Sequence, residues 1–220
     1  MLRGPGSRAD GFLDALATAL RSRPITVHGD LAPPGAPIPP EARPSSVVIP
    51  IYEDAEGPGV IVVRRTEGLV PHSGQIAFPG GKRKPDEDEL TCALRETREE
   101  IGLGPEFLEP LGSLDRYATI TGYLISPFVA RVRAWPLPLV ADPHEVAAIL
   151  PVPIERLLEP GTLKTATRET PAGPRVLNFF EVGDEVIWGA TAAMLRQLLE
   201  LAVGRPLEPR GEVPWDKVRW

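Results

Sequence analysis

Residues 80–103 read GGKRKPDEDELTCALRETREEIGL: a glycine pair, a basic turn, then a helix-forming run whose last turns carry Glu96, Glu99 and Glu100. At about 100° per residue these three carboxylates fall within about a 100° arc and share a face. Leu90, Leu94, Thr97 and Ile101 form a separate stripe about 60° wide, so the helix is expected to bury one side and present its glutamates on another. The pattern predicts a helix over 87–101, with Asp86 and Glu89 spaced as a capping box and Gly102 as its stop.

Three like charges at this spacing oppose helix formation, because i,i+4 repulsion costs a few tenths of a kcal/mol per pair. Two forms of compensation are open from the helix alone. A hard divalent cation, Mg2+ or Mn2+, takes oxygen ligands and bridges carboxylates to phosphates. Alternatively, Arg95 and Arg98 lace the run into a salt-bridged solvent face.

Outward from this helix, β-branched runs at 46–52 and 60–65 flank an acidic Gly/Pro turn at 53–59 and read as two antiparallel strands. A short strand over 75–78 runs into the break at Pro79-Gly80-Gly81. Further strands are expected at 111–114, 122–132 and 175–182. An amphipathic helix is expected over 9–21 from Phe12, Leu13, Leu16 and Leu20, and another over 191–201 from Met194, Leu195, Leu198 and Leu199. Strands mixed with helices and no regular alternation indicate an α+β fold, a mixed sheet between helices.

The chain of 220 residues is long enough for one core, and its 42% hydrophobic and 25% charged residues are ordinary for a soluble globular protein. We therefore expect one domain over 46–202, an N-terminal helix and proline-rich extension over 1–45, and a C-terminal tail over 203–220. The 27 prolines gather outside the core-like segments, and 24–44 reads as an extended tether. A net charge of -6 argues against a nucleic-acid partner, while a small anionic substrate remains open if a metal supplies positive charge. The single cysteine, Cys92, excludes a disulfide framework. No apolar run approaches a membrane span, so a cytoplasmic location is expected. A monomer or homodimer is left open, as is whether Trp215 and Trp220 in the tail fold back or pack across a dimer.

Gly81, five residues, Glu87, seven residues, then Arg95-Glu96-x-x-Glu99-Glu100-x-Gly102-Leu103 resembles the Nudix box. Each fixed letter recurs by chance on the order of one time in fifteen, so coincidence at every one is a poor explanation. The departure is Thr97, where the family has an aliphatic residue or alanine. The resemblance implies an α/β/α sandwich in which Gly80-Gly81 pass close to substrate phosphates. It also implies that Glu96, Glu99 and Glu100 hold metal and that Glu87 anchors Arg95.

Upstream, Arg65, Leu69, His72, Gly74, Gln75 and Phe78 resemble the signature of the coenzyme A pyrophosphatase branch, with further matches at 111–114, 121–123, 127, 145–146 and 187–191. That branch splits coenzyme A and its derivatives into 3',5'-ADP and 4'-phosphopantetheine. Arg65, His72, Gln75, Gly80 and Gly81 are then candidate substrate contacts, and His72 alternatively fixes the loop backbone. Many members have arginine where this chain has Val70, which removes a bidentate phosphate contact and keeps open a dinucleotide or nucleoside diphosphate sugar as substrate. Lys82, Arg83 and Lys84 offer a substitute phosphate contact or a solvated turn. Glu145 is a candidate distal carboxylate, as extra metal ligand or general base, and alternatively a surface residue. Cys92 reads as packing. A module that binds nucleotide without catalysis is the remaining alternative, and the intact glutamate set argues against it.

Overall fold

A computed structural model describes residues 6–29, 41–67, 74–169 and 174–213. The elements begin with α1 (Gly6–Arg21), β1 (Val27–Gly29), β2 (Arg43–Asp54), β3 (Gly57–Arg65), β4 (Ile76–Ala77), β5 (Gly80–Lys82) and α2 (Glu89–Ile101). There follow β6 (Leu108–Ser113), β7 (Arg116–Ala118), β8 (Tyr123–Val132), β9 (Val146–Pro153) and α3 (Ile154–Leu158). The last are β10 (Leu163–Arg168), β11 (Arg175–Val182), β12 (Glu185–Trp188) and α4 (Gly189–Val203).

The spine of the main sheet runs β1-β7-β8-β2-β3-β4, with β5 added to β2, β6 to β8 and β9 to β3. β2 pairs parallel with β8 and antiparallel with β3 and β5, so the sheet is mixed. A separate antiparallel sheet has the order β10-β11-β12. Residues 210–213 run beside β10, where Arg210 N–H donates to Leu163 O at 2.9 Å and Val213 N–H to Thr165 O at 2.8 Å.

The two-residue period of β2 explains why both faces are covered. Val47, Ile49 and Ile51 enter a core shared with Leu13, Leu16 and Leu20 of α1 and Leu195, Leu198 and Leu199 of α4. Val48 and Tyr52 point the other way, into a core with Ala93 and Ile101 of α2. Among the described residues no helix is long and apolar enough to cross a membrane.

Several local expectations need correction. The α2 helix starts at Glu89, and its cap is Asp88, whose carboxylate accepts from Thr91 N–H at 2.9 Å; the Asp86/Glu89 box is not used because Asp88 reaches the third helical amide. The break at 79–81 is in part a strand, because Gly80–Lys82 pairs with Val47, Ser46 and Ser45. The 53–59 turn tightens to Ala55 and Glu56, since Asp54 Oδ1 accepts from the amides of Glu56 and Gly57. β9 was not legible, because Pro151 and Pro153 obscure it. Among the described residues it pairs only with β3, and prolines are tolerated on such an edge.

Asp115, between β6 and β7, joins the layers. Its carboxylate is 5% exposed and accepts from Thr26 N–H at 2.7 Å, from the Arg23 guanidinium and from Gln197 of α4, with His28 Nε2 at 2.6 Å. Burial alone would push this carboxyl up, but these hydrogen bonds outweigh it and hold it at about 2, below the ordinary 3.8. A lowered folded value stabilises the fold above the ordinary value, and that contribution is lost as pH falls from about 4 to about 2. Asp115→Ala leaves Arg23 and Gln197 without their acceptor and should cost about 3 kcal/mol, a fall of roughly 6–12 °C in Tm at neutral pH. Asp115→Asn should flatten the acid limb of a Tm-against-pH curve. An unchanged limb would show that the carboxylate contributes nothing there.

Candidate active site

The site is built where β5 meets α2. Gly80 has φ 154°, and a Cβ there would lie 2.3 Å from Ser46 O on the neighbouring strand. A Cβ on Gly81 would lie 2.5 Å from the Glu96 carboxylate. Backbone approach and a positive φ require glycine at position 80, while at position 81 a side chain would displace the Glu96 carboxylate. Gly80 N–H donates to Glu100 Oε2 at 3.0 Å, so the loop and the helix are joined at the buried end of the glutamate series.

Arg95 organises the exposed end. Its Nε donates to Glu87 Oε1 at 2.7 Å and one terminal nitrogen to Glu87 Oε2 at 3.0 Å, a bidentate pair. The other terminal nitrogen donates to Glu96 Oε1 and Glu99 Oε2, each at 2.8 Å. The Arg95 hydrogen bonds and the Lys84 amide, against burial, hold the Glu87 carboxyl at about 2.

Glu100 does not belong to a solvent face. The buried residues of α2 are Cys92, Ala93, Thr97, Glu100 and Ile101, while Leu90 and Leu94 are only half-buried. The core stripe is therefore wider than the leucine spacing indicated and overlaps the glutamate arc. Burial pushes Glu100 up to about 7, opposed by Gly80 N–H and Arg65 and reinforced by Glu145 and Glu96. Arg65 Nη1 lies 3.3 Å from Glu100 Oε1 and Arg65 Nη2 3.8 Å from Glu145 Oε2. Glu145 is half exposed, and its carbonyl accepts from Thr66 N–H at 3.1 Å.

Thus Arg95, Glu96, Glu99, Glu100, Arg65, Glu145, Gly80 and Gly81 come together. Gln75 lies just before β4, and its carbonyl accepts from Arg65 N–H at 3.0 Å. His72, Leu69 and Val70 lie outside the described residues, as do Trp215 and Trp220. Cys92 is fully buried with Sγ 3.7 Å from Gly81 O, and burial, then Glu87 and Glu96, push its thiol up to about 11. It packs the loop and is no nucleophile at neutral pH. The Gly80 amide was missed as a ligand of Glu100, because backbone donors leave no mark on composition or spacing.

Among the described residues no three His, Cys, Asp or Glu side chains already converge as a metal cage, since Arg95 lies between Glu96 and Glu99. The donor chemistry nevertheless fits a hard cation, for Glu96, Glu99, Glu100 and Glu145 offer carboxylate oxygens. Burial first, then Glu145 and Glu96, make Glu100 hold its proton more tightly, and a cation beside it would favour its charged form.

A glycine loop pinned to a glutamate-bearing helix, on the edge of a mixed sheet covered by helices, defines a class of hydrolase, and a model of the NUDIX domain matches residues 42–171. The chain belongs to the Nudix family. Among its relatives are Nudix hydrolases called NudL, described as uncharacterized, from Yersinia pestis and Yersinia pseudotuberculosis. Each is 34% identical over 161 residues, which cover 72% of this chain and 79% of the relative. The crystal structure of a Nudix hydrolase from Nitrosomonas europaea superposes with a TM-score of 0.51 over 79% of each chain at 17% identity, a likeness of fold.

The glycine pair separates fold from site. Gly80→Ala sets a Cβ against immovable backbone and should lower stability by about 1–3 kcal/mol. Gly81→Ala meets only the end of a side chain. It should melt close to wild type while displacing Glu96 and losing hydrolysis. Equal melting and equal turnover for both variants would remove the argument from close approach.

Proposed function

We propose that this Nudix hydrolase cleaves the phosphoanhydride of coenzyme A or its derivatives, giving 3',5'-ADP and 4'-phosphopantetheine, with residues 46–202 as the catalytic unit. The observation that carries the reading is the junction of Gly80, Glu100 and Arg65. It puts a substrate-signature arginine 3.3 Å from the buried box glutamate. The resemblance of 65–78 to the coenzyme A branch supplies the substrate.

Glu96, Glu99 and Glu100 would hold Mg2+ or Mn2+, which neutralises phosphate charge and lowers the pKa of an attacking water. The chain itself supplies position. Glu87 holds Arg95 by two hydrogen bonds, Arg95 restrains Glu96 and Glu99, and Gly80 N–H fixes Glu100, so the carboxylates are presented with little freedom. Arg65 lies between Glu100 and Glu145, where its guanidinium can bind a phosphate oxygen. Glu145, beside Arg65 and with its carbonyl bonded to the Thr66 amide, would accept a proton from water or complete the metal's ligands. Valine at position 70 favours one second reading, a dinucleotide or nucleoside diphosphate sugar as substrate.

Incubating the protein with coenzyme A and either cation should yield 3',5'-ADP and 4'-phosphopantetheine. Glu100→Gln should slow this by at least about a hundredfold, on the order of 2.7 kcal/mol of barrier. Cleavage of nucleoside diphosphate sugars or dinucleotides with coenzyme A untouched would overturn the substrate. Full activity of Glu100→Gln would overturn the metal assignment.

A further inference from the structure

Glu145 reaches the site from a segment remote in sequence from the glutamate helix, and that segment is held at both ends. At one end it is tied to α2, where Val140 N–H donates to Ile101 O at 3.1 Å and Asp142 N–H to Glu100 O at 2.9 Å. These acceptors are carbonyls of the last helical turn, which have no partner within the helix. At the other end it is tied to the residue after β3. Thr66 donates its N–H to Glu145 O at 3.1 Å and its hydroxyl to His144 O at 3.0 Å.

Asp142 closes the turn between these ties. Its carbonyl accepts from Glu145 N–H at 3.1 Å and from Val146 N–H at 2.8 Å, and its Oδ1 accepts from His144 N–H at 2.9 Å. An aspartate that accepts from the amide two residues on fixes a turn locally. Both backbone groups of His144, the residue before Glu145, are thus held by side chains, the N–H by Asp142 and the carbonyl by Thr66. The strand that leaves the turn is re-aimed as well. Arg64 pairs with Ala148 but Arg65 with Val146, so Ala147 is an extra residue in β9, and such a bulge bends a strand and redirects its side chains. The turn is anchored on the backbone of Glu100 and beside Arg65, whose guanidinium lies 3.3 Å from the Glu100 carboxylate and 3.8 Å from that of Glu145.

We propose that Thr66 and Asp142 are positioning residues, whose side chains clamp the 142–146 turn by the His144 peptide groups and so present Glu145 to the same reacting centre as Glu100. The proposal rests on the reading of Glu145 as a proton acceptor or metal ligand. Neither side chain acts on substrate; each acts through the backbone that carries Glu145.

Thr66→Val keeps the size of the side chain and the amide and removes only the hydroxyl, which Thr66→Ser restores. Asp142→Ala removes the acceptor, and Asp142→Asn keeps a side-chain oxygen in its place. Amide hydrogen exchange at Glu145 and Val146, followed by NMR on the metal-free protein, should quicken about fivefold in Thr66→Val and Asp142→Ala, the size of one hydrogen bond. It should stay near wild type in Thr66→Ser and Asp142→Asn. With the substrate that wild type cleaves, the two deleting variants should lower kcat about tenfold and leave KM within about twofold, while the conservative variants keep most of the turnover. In a Glu145→Gln background the same deletions should change kcat by less than about twofold, because the group that they position is gone. Equal losses with and without Glu145→Gln, or unchanged exchange in both deleting variants, overturn the clamp. Wild-type kcat in both deleting variants while Glu145→Gln is impaired overturns it as well. Faster exchange with turnover unimpaired in Thr66→Val, Asp142→Ala and Glu145→Gln alike supports the clamp and overturns the reading of Glu145 instead.

Discussion

The shared guanidinium of Arg95 is the interaction on which the site depends. Three glutamates within two turns of one helix, with Glu87 just before it, would repel one another. A single planar cation with donors in fixed directions satisfies Glu87 in a bidentate pair and still reaches Glu96 and Glu99. A lysine could neutralise one of these groups but could not hold all three orientations together. Metal and Arg95 are therefore alternatives for the same charge problem only in part: the arginine restrains the carboxylates, while Glu100 lies on the other side of the arc, on Gly80 and Arg65.

The two halves of the glutamate series are stabilised differently. Glu96 and Glu99 are held by a partly exposed ion-pair network, in which each exposed contact is worth little and the geometry matters more than the energy. Glu100 is buried, where desolvation is the largest influence and the Gly80 amide and Arg65 oppose it. The series thus passes from solvent into the core within four residues, and β5 makes that possible by approaching α2 without side chains at Gly80 and Gly81.

The box helix, its Gly102 stop and the strands around 46–65 were legible because short-range periodicity and Gly chemistry coincide there. The glutamate cluster was legible by spacing and resemblance. Exposure of Glu100 was misjudged because the leucine stripe marks only part of the buried face, while Cys92, Ala93 and Thr97 fill the remainder. The pairing of β9 was hidden by Pro151 and Pro153, and β1 and β7 are three-residue strands whose identity depends on long-range register. Asp115 shows the same limit. Its partners Arg23, His28 and Gln197 are up to 92 residues away, a separation that no local pattern encodes.

The position of α1 bears on how this chain is to be divided. The match to the NUDIX domain starts at residue 42, yet Leu13, Leu16 and Leu20 are at most 4% exposed and share a core with Ile49 and Leu195. The segment recognisable by kinship and the segment that folds as a unit are therefore different lengths. A fragment cut at the family boundary would keep every glutamate of the site and present to water an apolar surface that the whole chain never shows.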